Sequence, residues 1–425
     1  MNRKLAPNIK DAIEFNLQLK PHKKFTLDNG ITVYTIDAGA QEVVQVELVF
    51  YAGNWFEQEK NTASTTNYLL KNGTSNKTAF ELNEIFEYYG AYCNRSCSNE
   101  TATVSLSSLT KQLPEILPLV REMITDSVFS EEELDIYKQN AKQRLQVNLQ
   151  KSDFIATRLI DAHLYGEAHP YGKYTNPEDI DALSSSHLKD FFKQYYLNGQ
   201  CVAFVSGKLP INIEQQLNSA FGDLPLKPFN NQLSNIIQTP AIKKKYRIQN
   251  DINGVQGSIR IARPFPNRHH PDFMKVMVLN TLFGGFFGSR LMSNIREEKG
   301  YTYGIHSYVQ NHIHESAWLI STEAGKDVCE ATIEEVYKEM KELRENLVDA
   351  EELLLVRNYL IGNILGDLDG PFHIMGRWKN LILNNLTDDY FHRSIETIKT
   401  ISTDELQALS KKYLNPEQFY ELVVI

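Results

Sequence analysis

Between His22 and His163 the chain has no histidine, and its 425 residues hold only four cysteines. Four cysteines make no disulfide scaffold. Cys93 and Cys97, in CNRSC, are spaced more widely than a redox CxxC, which suits neutral thiols on one face of a strand. Cys201 and Cys329 stand alone and are expected to be buried. Basic residues are not in excess: 44 Lys and Arg face 53 Asp and Glu, a net charge of −9. The composition shows no basic excess to neutralise phosphates, so neither nucleic acid nor an anionic membrane is expected as a partner. A basic peptide remains compatible. Long apolar runs are also missing. The opening MNRKLAPNIKDAIEFN lacks a signal-length apolar core. Val276 to Gly288 is too short for a bilayer and is broken by Asn280, Thr281 and glycines. A cytoplasmic location is expected. No Ser/His/Asp or Cys/His constellation has a recognisable setting.

Patterning is abundant. Lys24 to Ile36, KFTLDNGITVYTI, has two alternating runs about an Asn-Gly step and predicts a hairpin. Val44, Val46, Leu48 and Phe50 alternate as a strand. Phe80–Tyr89 and Leu113–Met123 carry apolar residues at helical spacing, and Ser130 before three glutamates predicts a helix start. Glu131 to about Tyr165 reads as one long helix-favouring stretch. Leu188, Phe191, Phe192, Tyr195 and Tyr196 follow a helical stripe, and Cys201–Val205 an apolar strand. Glu330–Glu352 predicts a solvated helix with Val336, Met340, Leu343 and Leu347 on its buried face. His312-x-His314-Glu315 reads as a strand edge and His269-His270-Pro271 as a loop.

The two halves repeat one another. Tyr196-Leu197-Asn198 before one apolar strand matches Tyr413-Leu414-Asn415 before another, an offset of 217. SSSHLKDFFKQYYLN upstream matches STDELQALSKKYLN, and Gly90 pairs with Gly300. Between them, Leu224–Tyr246 carries three prolines and a lysine run and reads as an exposed linker. The expectation is an α+β chain of two similar lobes, each a mainly antiparallel sheet with helices packed on one face. The divisions are residues 1–225, a linker at 226–245, and 246–425.

Thr281–Tyr308, TLFGGFFGSRLMSNIREEKGYTYGIHSY, combines a glycine-rich break, a helical segment and a turn at Gly300. Gly284, Gly285 and Gly288 lack the GK[ST] of a phosphate loop and suit a turn that touches peptide backbone. Together with the LDNG hairpin, Gly73-Thr74, EEEL after Phe129 and HPYG at His169–Gly172, this stretch resembles the insulinase and mitochondrial processing peptidase family of pitrilysin-like zinc peptidases. The resemblance covers nearly the whole chain, and through HPYG it implies a structural role for His169, fixing a loop after a helix.

Active members of that family hold zinc through an HxxEH helix and a distant glutamate. The register implied by the resemblance places these positions on Ser64, Asn67, Tyr68 and Arg144. A hydroxyl, an amide, a phenol and a cation are the wrong donors for zinc, and the general base is lost at Asn67. No metal is therefore expected in this chain. The resemblance further implies that Arg296 and Tyr303, seven residues apart, are the catalytic pair that stabilises an oxyanion. The chain so resembles the non-zinc subunit of two-chain members. Zinc would then lie on a partner bearing HxxEH, and peptide would be the substrate. A homodimer of the isolated chain is compatible with this fold. The alternatives are an inactive structural or peptide-binding homologue, and a lone enzyme with a different site.

Overall fold

In the computed structural model, which describes residues 11–230 and 235–425, the Asn-Gly step does what its backbone freedom allows. Gly30 takes φ +88° and turns β1 (Lys23–Thr26) back along β2 (Thr32–Asp37). β3 (Val43–Phe50), β4 (Tyr92–Cys97), β5 (Ala102–Leu109) and β6 (Gln200–Gly207) extend the sheet, in the order β1-β2-β6-β3-β5-β4. A short β7 (Lys227–Pro228) lies beside β6. The alternating residues of β3 face a core with β5 and with the helices Leu113–Thr125 and Ser185–Phe192. The second sheet has the order β10-β11-β9-β12-β8. Its strands are β8 (Lys245–Ile248), β9 (Gln256–Phe265), β10 (Thr302–Asn311), β11 (Ser316–Gly325) and β12 (Tyr420–Val424).

The two sheets share one topology. β6 runs parallel to β2 and antiparallel to β3, as β12 runs parallel to β8 and antiparallel to β9. Thus β2-β6-β3-β5-β4 repeats as β8-β12-β9-β11-β10. The helices before β6 and β12 begin alike, with the Ser184 and Ser402 hydroxyls accepting from the backbone N–H groups of His187 and Glu405. The first path, from Ser184 to Tyr196, is one residue longer than that from Ser402 to Tyr413. A π-turn at Lys193–Leu197 absorbs the extra residue.

Each lobe lends a helix to the other. Ser152–Tyr165, from the first half, packs on β9 and β12; Pro371–Leu383, from the second, packs on β2 and β6. The free face of each sheet near the seam is thereby covered. Arg260 on β9, 3% exposed, donates to Asp153 and, at 3.0 Å, to the Thr157 hydroxyl on the exchanged helix. On the other side Lys379 pairs with Glu47 at 2.7 Å, and the Trp378 indole donates to the Lys20 carbonyl at 2.8 Å.

Three local expectations change. The stretch Glu131–Tyr165 forms two helices, Glu131–Asn148 and Ser152–Tyr165. The break lets the second leave its own lobe and reach the other sheet. The charged run from Glu330 also divides, into Cys329–Glu345 and Ala350–Gly366, the latter capped by Asp349. Leu347 falls in the break and is 54% exposed; Val348 is buried instead. The linker is only partly exposed. Leu224 and Leu226 are buried, Lys227–Pro228 pairs with β6, and Thr239 and Ala241 N–H groups bond the carbonyls of Tyr165 and His163 at 3.0 and 2.8 Å. Residues 231–234 of the linker lie outside the described residues.

Candidate functional site

The helix Thr62–Leu69 starts after Asn61, which takes a left-handed φ of +69°. It carries Ser64, Asn67 and Tyr68 to the wall of a cavity of about 400 Å³. The helix Glu131–Asn148 brings Tyr137, Arg144 and Asn148 to the same space, and β4 brings Arg95 and Cys97. The three positions expected to replace metal ligands, and Asn67 at the general-base position, therefore converge. Asn67, 2% exposed, donates its amide to the Tyr196 hydroxyl at 3.0 Å. The Ser64 hydroxyl donates to the Asn61 carbonyl at 3.2 Å. Tyr68 packs 5.2 Å from the Tyr137 ring, and Arg95 donates to the Tyr68 carbonyl at 2.7 Å while covering its ring at 5.5 Å.

This donor set does not fit zinc. The cavity wall has no His, Asp or Glu among the described residues. Its one sulfur ligand, Cys97, is held as a thiol: burial, and then the charge of Glu57, push it up to about 12. Burial likewise pushes Cys93, on the same strand face, up to about 11. Arg144 is exposed and Arg95 half-buried, so two guanidiniums border the place where a dication would rest.

Arg296 and Tyr303 lie elsewhere, and neither lines this cavity. Arg296 belongs to a π-helical segment, Met292–Glu298, with its guanidinium 4.7 Å from the Phe287 ring. Asn294 anchors that segment by donating to Glu335 and Glu339 at 2.9 and 2.7 Å. Tyr303 stands at the irregular start of β10, between Thr302 and Ile305, and is 92% exposed. Among the described residues neither side chain has a hydrogen bond or ion pair.

Of the three glycines, Gly284 is buried where the chain crosses β10. A Cβ there would lie 2.7 Å from the Ser307 Cβ and 2.9 Å from its backbone nitrogen. A Cβ added at Gly285 would lie 3.2 Å from the Asn280 carbonyl oxygen, and one at Gly288 2.8 Å from the Phe286 ring. Close packing accounts for Gly284 without invoking a ligand.

A buried aromatic cluster at the lobe seam was not legible as a unit in the sequence. Residues 312–315 are no strand edge: they form the turn between β10 and β11 and insert into the first lobe. His314 stacks on Trp55 at 4.5 Å and His312 on Tyr171 at 4.0 Å. The Tyr171 hydroxyl donates to Glu100, which also accepts from the Ile313 N–H at 3.3 Å. Burial, reinforced by neighbouring His169, lowers His312 to about 4. His169 belongs to this cluster, consistent with a structural role.

Residues 32–177 match the model of "Insulinase (Peptidase family M16)", and residues 182–360 that of "Peptidase M16 inactive domain". The chain belongs to the insulinase family, M16. An uncharacterized zinc protease of Rickettsia felis is 23% identical over 350 residues, covering 80% of this chain and 82% of that protein. The human mitochondrial-processing peptidase subunit beta is 23% identical over 361 residues, covering 81% of this chain and 72% of its own length. The crystal structure of a peptidase M16 inactive domain from Pseudomonas fluorescens superposes with a TM-score of 0.84 at 23% identity, covering 95% of this chain and 98% of that one. The bilobed M16 fold is thus shared. No helix among the described residues is long and apolar enough to cross a membrane.

Proposed function

We propose that this M16 chain is the metal-free subunit of a two-chain peptidase. It binds unfolded peptide and presents Arg296 and Tyr303 to a homologous partner that carries HxxEH and the zinc. The observation that carries this reading is the cavity itself: the family's three metal-ligand positions and its general-base position converge, but they hold Ser64, Tyr68 and Arg144, and Asn67. Tyr303 offers an unengaged phenol at 92% exposure, and Arg296 an unpaired guanidinium on the neighbouring segment, among the described residues. Both can donate to an oxygen that gains negative charge, one as a fixed cation and one as a hydroxyl. A relative named as a processing-peptidase subunit supports a heteromeric assembly.

The isolated chain should retain no stoichiometric zinc after dialysis and should cleave no unfolded peptide. Mixing with an HxxEH-bearing homologue from the same source should produce cleavage. Arg296→Ala or Tyr303→Phe should abolish that gain, and full activity from the double variant would refute the assignment. The loss of every metal-ligand side chain at the cavity is equally what a second reading expects, an inactive structural or peptide-binding homologue. Under that reading the chains assemble but the substitutions leave proteolysis unchanged.

A further inference from the structure

A cavity that repels a dication is suited to an anion. We infer that the space between the helices Thr62–Leu69 and Glu131–Asn148 is a binding site for a peptide-borne carboxylate. Arg95 and Arg144 both border it, and no acidic side chain lines it among the described residues. Neither Arg95 nor Arg144 forms an ion pair among the described residues, and carboxylates on neighbouring segments are engaged by lysines: Glu57 with Lys173 at 2.6 Å, Asp179 with Lys60 at 3.5 Å, and Asp181 with Lys142 at 2.6 Å. The two guanidinium charges are therefore left uncompensated.

The wall also has donors in waiting. The Arg95 Nε–H and the Asn61 Nδ2 amide are buried without a hydrogen-bond acceptor, among the described residues. Each such orphan donor costs free energy that an incoming acceptor would recover. Arg95 has its Nη1 committed to the Tyr68 carbonyl, which fixes the guanidinium in place. Arg144 is exposed at the mouth. A planar carboxylate suits such a pair, because a guanidinium presents two parallel N–H bonds to it. Tyr68, Tyr137 and Phe154 supply aromatic surface for the side chain that carries the group. The neutral Cys97 thiol adds no competing negative charge. This site needs no partner chain, so it stands independently of the roles given to Arg296 and Tyr303.

The test is calorimetric titration of the full chain with three probes. N-acetylphenylalanine carries a terminal carboxylate, N-acetylaspartate α-amide a side-chain carboxylate, and N-acetylphenylalaninamide no charge. At least one acid should bind, tenfold or more tightly than the neutral amide and more weakly as salt is raised. Which acid binds tells the terminus from the side chain as the source. Binding should shift the Arg95 Nε–H resonance in a ¹⁵N-correlated spectrum. Arg144→Gln, at an exposed position, should weaken binding at least tenfold with an unchanged melting temperature. Equal affinity for the neutral amide, no binding of either acid, or an unchanged Kd in Arg144→Gln would each overturn the proposal.

Discussion

Gly90 and Gly300 occupy equivalent turns in the two lobes, at φ +60° and +66°. Each ends a helical segment and delivers the chain to a strand at the edge of its sheet, β4 or β10. The N–H of Ala91 returns to the Phe86 carbonyl at 2.8 Å, and that of Tyr301 to the Ile295 carbonyl at 3.0 Å. The second closure spans one more residue because its segment ends in a π-helical turn. Nothing lies within 4 Å of a Cβ added at either glycine. An alanine would therefore cost only the left-handed backbone conformation, roughly 1–2 kcal/mol in each case. Urea unfolding of Gly90→Ala and Gly300→Ala should give similar losses. Gly284→Ala should cost more than either, because it meets the Ser307 backbone at 2.9 Å.

Arg260 and Asp153 tie the exchanged helix to the second sheet. The arginine side chain is 4% exposed and the aspartate 56%. Asp153→Ala leaves a buried guanidinium with the neutral acceptors Ser258, Ile259 and Thr157. The exposure of the aspartate screens the pair, so the expected loss is about 1–3 kcal/mol, below that of a fully buried pair. Amide hydrogen exchange should quicken in Ser152–Tyr165 before it does in the core of either sheet. Unchanged exchange in that helix would show that the apolar contacts hold it unaided.

Acid should loosen the seam. His312 in the folded chain titrates at about 4, against 6.5 for an ordinary histidine. Between those values the unfolded chain takes up a proton that the folded chain refuses. Stability is thus fully present above pH 6.5 and falls as pH drops toward 4, by about 2–3 kcal/mol from this group. Burial lowers His169 and His314 as well, adding to the same slope. Glu100, raised by burial, acts oppositely: its contribution is lost as pH rises through its folded value. His312→Phe keeps a ring against Tyr171 and should flatten the stability profile between pH 6.5 and 4. An unaltered profile would place the acid sensitivity elsewhere.

Local signals and the repeat were legible; contacts across the seam were not. Asn29-Gly30 announced a hairpin because Gly30 needs φ +88°, and Ser130 announced a cap because its hydroxyl can reach the Glu133 N–H. The repeat pointed to two similar lobes because Tyr196 and Tyr413 precede strands in equivalent positions. Helix breaks at 149–151 and 346–349 escaped because both stretches remain rich in helix formers, and tertiary packing decides where such stretches divide. His312 looked like an edge residue because its stacking partner, Tyr171, is distant in sequence. The convergence of Ser64, Tyr68 and Arg144 came from the family register; side-chain chemistry alone gives no reason to group a serine, a tyrosine and an arginine.

That convergence can be tested by restoring the ligands. If the two helices hold the family geometry, Ser64→His with Tyr68→His places two imidazoles one helical turn apart on the cavity wall. Arg144 would still oppose a dication by several kcal/mol, taking an effective dielectric of ~20 and a separation of ~5 Å. The double variant should therefore bind zinc weakly or not at all. Adding Arg144→Glu replaces a repelling charge by a ligand, and the triple variant should retain about one zinc per chain after dialysis, measured by mass spectrometry of the metal. It should remain inactive on its own, since Asn67 still supplies no general base. Equal zinc retention by the double and triple variants would mean that Arg144 does not face the metal position.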